Sequence, residues 1–137
     1  MQYRHYILEH DQHEVHISVE DSKLAKNTIK DIHSYFVDSK VAKHSSEQEI
    51  LVVEYIAEAA LHAQIEQNLN PYGVMKAFDW NDQFSRGIEG FPAMDGSSGI
   101  YLTYCEDYEF DFSITEVKTS EEKPVLPKPY LPKPYEF

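Results

Sequence analysis

Strict alternation of polar and apolar side chains runs through residues 13–20, where Val15, Ile17 and Val19 are separated by polar residues. A period of two is the pattern of a strand that buries one face. Residues 2–9 form a second strand-like run, and only His10-Asp11-Gln12 separates the two. The chain therefore begins with a predicted β-hairpin, which belongs to an antiparallel sheet with one covered face.

The turn of this hairpin decides which residues lie opposite each other. A turn at residues 11–12 pairs apolar residues of the two strands across the core face: Leu8 with Val15, and Tyr6 with Ile17. The same register sets Glu9 against Glu14, an unfavourable like-charge pair. A slipped register therefore stays open.

Two helices are predicted next. Asp21-Ser22 can cap the first, over residues 22–37, and its apolar stripe consists of Leu24, Thr28, Ile32, Tyr35 and Phe36. Ser46 and Glu49 match a capping box that opens the second, which runs to about Gln67. The stripe of this second helix consists of Ile50, Val53, Ala57, Ala60 and Leu61, widened by Val52, Ile56 and Ala63.

The middle of the chain carries weaker patterns. Asn70-Pro71-Tyr72-Gly73 predicts a turn. Residues 74–80 fit a short strand or a loose turn of helix, and residues 82–89 fit a short third helix. Residues 90–99 are a loop by composition, because glycine and proline are frequent there.

Two further strands are predicted at residues 100–104 and 108–115, joined by a turn at Cys105-Glu106-Asp107. The fold class is therefore α+β: an antiparallel sheet of about four strands, two N-terminal and two C-terminal, covered on one face by two to three helices. Residues 1–118 form the predicted domain and residues 119–137 a Pro-rich C-terminal tail.

Charge restricts the kind of partner that the chain can bind. The net charge is −12, and between Asp79 and Glu122 eleven acidic residues accompany two basic ones, Arg86 and Lys118. Direct nucleic-acid binding is disfavoured, because phosphate contacts are made by lysine and arginine. Two interpretations of the uneven charge stay open: it steers another protein with a basic surface as the partner, or it is only the acidic surface of a soluble protein.

The chain lacks membrane and secretion signals. No apolar run approaches the roughly 20 residues of a membrane helix, and the N-terminus has no apolar stretch of signal-peptide length. Cys105 is the single cysteine, so neither an internal disulfide nor a cysteine-based metal site is expected. These features predict the cytoplasm of a bacterial host and no cofactor.

Four histidines fall within twelve residues and raise the question of a metal site: His5, His10, His13 and His16. The hairpin register puts His5 and His16 on the solvent face as diagonal neighbours, with His10 and His13 at the turn. A metal site needs three or four converging ligands. A solvated strand face is therefore predicted, with no metal.

Other candidate constellations also favour structural interpretations. Glu54, Glu58 and His62 share one face of the second helix, as a solvated face would. Asp79-Trp80-Asn81-Asp82 begins like a calcium loop but departs from the pattern at the next positions. The acids that follow Cys105 would raise its thiol pKa and lower its reactivity, so a packed or edge thiol is predicted rather than a nucleophile. No catalytic residues are assigned.

The tail repeats Leu-Pro-Lys-Pro-Tyr, at residues 126–130 and 131–135. Proline excludes helix and favours polyproline II, and the spacing fits the loose pattern that aromatic grooves read. Three interpretations stay open: a flexible end, a strap across this domain or a dimer mate, and a binding segment.

Three stretches resemble a family of small bacterial and prophage proteins known only as a domain of unknown function. They are Arg4-His5-Tyr6 leading to residues 17–21, Ile88-Glu89-Gly90-Phe91-Pro92 followed by Gly99-Ile100, and residues 112–117. The resemblance covers roughly residues 3–118. It implies a phage or prophage setting and no particular activity.

The leading hypothesis is an acidic, non-enzymatic protein-binding module of phage or prophage origin, for example a host- or defence-directed inhibitor. Its predicted partner-binding residues are Glu106, Asp107, Glu109, Asp111, Leu126, Tyr130, Leu131 and Tyr135. One alternative is a small-ligand-binding protein or enzyme with a site in the loop of residues 80–99. The other is a structural homodimer formed through a sheet edge and the tail.

Overall fold

The computed structural model describes residues 1–10, 13–36, 45–67, 69–81, 87–105 and 113–127. Its elements are β1 (Tyr3–His10), β2 (His13–Glu20), α1 (Lys23–Phe36), α2 (Ser45–Gln67), α3 (Pro71–Ala77), β3 (Ile100–Cys105) and β4 (Ser113–Ser120). The strands form one antiparallel sheet in the order β3-β2-β1-β4. The predicted α+β class is confirmed. The domain boundary placed after Lys118 stays a prediction, and β4 itself ends at Ser120.

The N-terminal hairpin supplies the two central strands. Its register is the unslipped one, with Leu8 opposite Val15 and Tyr6 opposite Ile17. Glu9 lies opposite Glu14, so the burial of the apolar face outweighs this like-charge pair. A shift of one residue would turn every core side chain of the strand to the other face.

The C-terminal strands do not pair with each other, so the hairpin predicted for them is wrong. β3 pairs with β2 and β4 pairs with β1, at opposite edges of the sheet. Three strand spacings of about 4.8 Å separate them, roughly 14 Å in all, which a three-residue turn cannot span. The connection, residues 106–112, lies outside the described residues. The last strand begins at Ser113 and continues past the predicted residue 115.

The helices cover one face of the sheet with a single core. Leu8 and Ile17 of the sheet pack with Ile29 of α1 and Ile56 of α2. The predicted α2 stripe is buried except for Ile50, which is exposed. The stripe predicted for α1 is rotated: the buried residues are Ala25, Ile29, Ile32 and His33, whereas Leu24, Tyr35 and Phe36 are exposed.

Gly99 explains how α1 approaches the sheet so closely. Its φ of 88° suits glycine. A Cβ at this position would lie 2.8 Å from the Cβ of Ala25. Both residues at this contact, Ala25 of α1 and Gly99 before β3, are therefore small. Thr28 of α1 also donates a hydrogen bond to the Ser98 carbonyl oxygen.

The middle of the chain contains a helix, α3, where a turn was predicted at residues 70–73, and its second half follows the helical rather than the strand interpretation of residues 74–80. Asn70 caps α3 by accepting a hydrogen bond from the Gly73 amide at 2.8 Å, and Pro71 occupies the first turn. Asparagine followed by proline favours a helix start as well as a turn. The helix predicted at 82–89 is absent over residues 87–89, where Gly87 has a φ of 76°, and residues 82–86 lie outside the described part.

The predicted capping box of Ser46 and Glu49 does not open α2, because the helix already begins at Ser45. Glu49 instead connects α2 to β1. The Arg4 guanidinium donates to both Glu49 carboxylate oxygens, at 2.6 and 2.7 Å. The Tyr6 hydroxyl donates to the same carboxylate. Burial and this bond raise the pKa of Tyr6. A buried charge is thus paired at the edge of the core.

Candidate protein-docking groove

An aromatic cluster lies where the end of α1 meets α2 and the loop of residues 87–91. The Phe36 ring centroid is 4.9 Å from that of Phe91 and 5.6 Å from that of Tyr55. Phe78 meets Phe91 edge to face. Phe91 is buried, whereas Phe36 is 42% exposed. The cluster therefore joins the core to a solvent-accessible apolar surface.

This surface is the floor of a groove of about 690 Å³ between α2 and residues 87–91. Ala59 and Ala63 lie on the α2 side, and Ile88 lies on the loop side. Because alanine side chains are short, α2 leaves room there. We call this feature the α2 groove.

Carboxylates border the α2 groove. Glu58 and Glu66 of α2 and Glu89 of the loop line it, and none of its described lining residues is lysine or arginine. In the described part of the chain, neither Glu58 nor Glu66 takes part in an ion pair. His62 lies between them along the helix. The predicted solvated face of α2 is thus also the rim of a groove.

The other wall of the α2 groove is held by specific hydrogen bonds. The Trp80 indole Nε1 donates to the Phe91 carbonyl oxygen at 2.6 Å. Gly87 has a positive φ, and a Cβ there would overlap the Trp80 ring. A hydrogen bond to the Glu89 carboxylate raises the pKa of Tyr35. The groove is therefore formed before any partner arrives.

A second groove, of about 960 Å³, lies on the sheet face away from the helices. His5, His16 and Tyr104 line it on the sheet side, and residues 122–125 line it on the other. Leu126 is half-buried and packs against the core cluster. Of residues 122–126, only Pro124 and Leu126 are half-buried, and Val125 is 72% exposed. The flexible-end, strap and binding-segment interpretations of the tail therefore stay predictions.

The histidines on this face have separate partners. His5 lies between two serine hydroxyls, with Nδ1 2.7 Å from Ser18 Oγ and Nε2 3.0 Å from Ser120 Oγ. His16 Nε2 lies 2.8 Å from a Glu14 carboxylate oxygen. The side chains of His10 and His13 lie outside the described residues. Among the residues that are described, no three metal-binding side chains come together.

The Cys105 thiol is buried, and burial raises its pKa to about 12. The sequence predicted a packed or edge thiol from its acidic neighbours, which lie outside the described residues. In the structure the thiol is packed, and its burial is the cause of the raised pKa. A neutral thiol in the core is a poor nucleophile.

The predicted partner-binding residues fall mostly outside the described part of the chain. These are Glu106, Asp107, Glu109, Asp111, Tyr130, Leu131 and Tyr135. Their role stays a prediction, as does dimerisation through a sheet edge and the tail. Sequence reasoning missed the α2 groove, although the loop interpretation of residues 80–99 included its Gly87–Phe91 wall. The sequence does contain the residues that form the groove, namely four aromatic residues and the alanines Ala59 and Ala63 of α2. Only the tertiary fold brings them together.

None of the described helices combines the length and apolar character needed to cross a bilayer.

Comparison with known proteins places the chain in a phage and prophage setting, as the resemblance implied. It is 35% identical over 101 residues to lambda prophage-derived protein ea10 of Escherichia coli O6:H1 (strain CFT073), covering 72% of this chain and 80% of the relative. The match to protein ea10 of Escherichia phage lambda has the same identity and coverage. No solved structure matches. The family profile described as "Protein of unknown function (DUF2528)" matches residues 14–117, and the chain belongs to this family.

Proposed function

We propose that this phage- or prophage-associated protein is a non-enzymatic binding module, and that its α2 groove takes a basic, amphipathic segment of another protein. The observation that carries the proposal is the combination of an accessible aromatic floor with a rim whose described ionised groups are carboxylates.

The apolar floor supports a protein segment as the occupant. Phe36 and Tyr35 are 42% and 54% exposed, and they lie next to each other at the end of α1. Adjacent exposed aromatic rings beside a groove mark interaction surfaces more often than isolated apolar residues do. Tyr35 lines a separate, smaller pocket with Gly90 and Pro92, so an amphipathic helix laid into the α2 groove would bury the exposed part of Phe36 under its apolar face.

The carboxylate rim supports a basic partner. Glu58 and Glu66 are exposed carboxylates without ion-pair partners in the described chain, and the whole protein carries a net charge of −12. Complementary charge speeds encounter and rejects acidic competitors. A partner surface that otherwise holds nucleic acid has the required character, which is the inhibitor version of the proposal. In that version Glu106, Asp107, Glu109 and Asp111, which lie outside the described residues, meet the partner's basic surface.

The experiment is affinity capture from an Escherichia coli lysate, with mass spectrometry, on three forms of the full chain. These are wild type, Glu58→Gln/Glu66→Gln, and the charge-matched control Glu121→Gln/Glu122→Gln. We expect a partner with a basic segment that wild type and control retain and the groove variant loses. Capture should weaken as salt rises, because exposed charges are screened. Equal capture by all three forms would contradict the proposal.

A small-ligand function is the second candidate, because the volume of about 690 Å³ also falls in the range of small-molecule sites. A ligand of that class raises Tm by mass action. A melting screen against metabolites separates the two functions: a hit that Phe36→Leu abolishes favours the small ligand.

A further inference from the structure

The α2 groove combines two features that select between the two basic side chains. A basic side chain of the partner enters a groove that aromatic rings share with carboxylates, since Phe36, Tyr55 and Phe91 line it. It must also reach the carboxylates of Glu58 and Glu66. From this juxtaposition we propose that the partner anchors itself in the α2 groove through arginine rather than lysine; this inference rests on the function proposed above.

Hydration favours arginine at such a place. A lysine ammonium is strongly hydrated, so contact with an apolar wall removes water that it binds tightly. A guanidinium is planar and weakly hydrated, and it stacks on aromatic faces while its edge donates to carboxylates. A guanidinium in the α2 groove can therefore make two favourable interactions: it stacks on the aromatic floor, and it donates hydrogen bonds to the carboxylate rim.

The spacing of the carboxylates sets the spacing of the arginines. Glu58 and Glu66 are eight residues apart on α2, which is about 12 Å along the helix. One guanidinium cannot reach both carboxylates. If the partner is helical, it therefore carries two arginines about seven residues apart, since seven residues make two turns, return to the same face and span about 10.5 Å. If it is extended, the arginines are about four residues apart. In both cases apolar side chains lie between them over Ala59 and Ala63.

Glu89 has a different role. Its carboxylate accepts a hydrogen bond from Tyr35, whose pKa it raises. This bond joins the end of α1 to the loop wall of the groove. Glu89 therefore helps to shape the site, and the two α2 carboxylates supply the recognition.

The test uses the full chain and three blocked twelve-residue peptides with two basic positions seven apart and leucines between them. One peptide carries arginine at these positions, the second lysine, and the third uncharged citrulline. We expect calorimetric titration to give an affinity about tenfold higher for the arginine peptide than for the lysine peptide, equivalent to a cation–π contribution at a partly desolvated site. The citrulline peptide should be the weakest.

Variants assign the effect to the groove. Glu58→Gln/Glu66→Gln should weaken the arginine and lysine peptides alike, whereas Phe36→Leu and Tyr55→Leu should each reduce the advantage of arginine. Equal affinity for arginine and lysine in wild type overturns the inference but leaves the proposed function intact. Binding that ignores the Glu58→Gln/Glu66→Gln change, or no binding of any peptide, overturns both. So would a groove variant that alters the protein's own self-association by light scattering, since the occupant would then be a second copy.

Discussion

Replacement of Glu49 by alanine tests whether the Arg4–Glu49–Tyr6 group holds α2 to β1. Glu49 is 8% exposed. Its removal leaves the Arg4 guanidinium without the two hydrogen bonds of 2.6 and 2.7 Å, and the Tyr6 hydroxyl without its acceptor. Removing one partner of a buried ion pair costs about 3–5 kcal/mol.

The lower end of that range applies here, because the Arg4 side chain keeps 26% of its exposure and lies 3.5 Å from Asp21. We expect Glu49→Ala to lower the free energy of unfolding by about 3 kcal/mol. For a chain of this length that corresponds to a fall in Tm of about 12 °C.

Urea and thermal unfolding, followed by circular dichroism, measure this difference. Glu66→Ala is the control on the same helix, and its exposed side chain should change stability by about 0.5 kcal/mol or less. The double variant Arg4→Leu/Glu49→Leu should recover most of the loss, since an apolar pair of similar volume can replace a buried ion pair. A loss below about 1 kcal/mol for Glu49→Ala, or a double variant at least as unstable as Glu49→Ala, would refute the reasoning.

Three further predictions concern single positions. Between pH 9 and 12 the Cys105 thiol ionises in the unfolded chain, whereas burial in the folded chain keeps it neutral with a pKa of about 12. The stability that this burial contributes is therefore present below pH 9 and lost as the pH rises towards 12. Urea unfolding at pH 8 and 10.5 should show a larger loss of stability for wild type than for Cys105→Ala. Gly87→Ala should destabilise the fold by about 1–3 kcal/mol and shift Trp80 fluorescence, because the new Cβ overlaps the indole; an unchanged spectrum would contradict this packing. Asn70→Ala should cost about 1 kcal/mol through loss of the α3 cap, and Asn70→Asp, which keeps an acceptor, should cost clearly less in the same unfolding assay.

The sequence predicted those parts of the fold that depend on local periodicity. The alternation at Val15, Ile17 and Val19 predicted β2 and the hairpin register, because shifting it exposes the whole apolar set. The α2 stripe was predicted for the same reason. In α1, by contrast, Tyr35 and Phe36 were expected in the core and are exposed. Both faces of that helix carry apolar residues, so only tertiary packing selects Ala25 and Ile29.

Pairing between distant strands was not predictable from local pattern. Two adjacent strand-like runs suggested a C-terminal hairpin, but both edges of the N-terminal hairpin were available, and each C-terminal strand pairs with one of them. The candidate site was also not predictable from local sequence patterns. Phe36, Tyr55 and Phe91 lie far apart in sequence, and only the packing of α1, α2 and the loop unites them with the rim carboxylates.

The strand order β3-β2-β1-β4 also determines what the nascent chain experiences on the ribosome. The first twenty residues can form their hairpin as soon as they emerge, yet the strands that protect its two sides come from residues 100–120. At roughly 5–20 residues per second, synthesis leaves both sides without their final neighbours for on the order of ten seconds. Unpaired strand edges invite association with other chains, so the interval before residue 120 emerges is the period in which newly made protein is most exposed to aggregation and most dependent on chaperones.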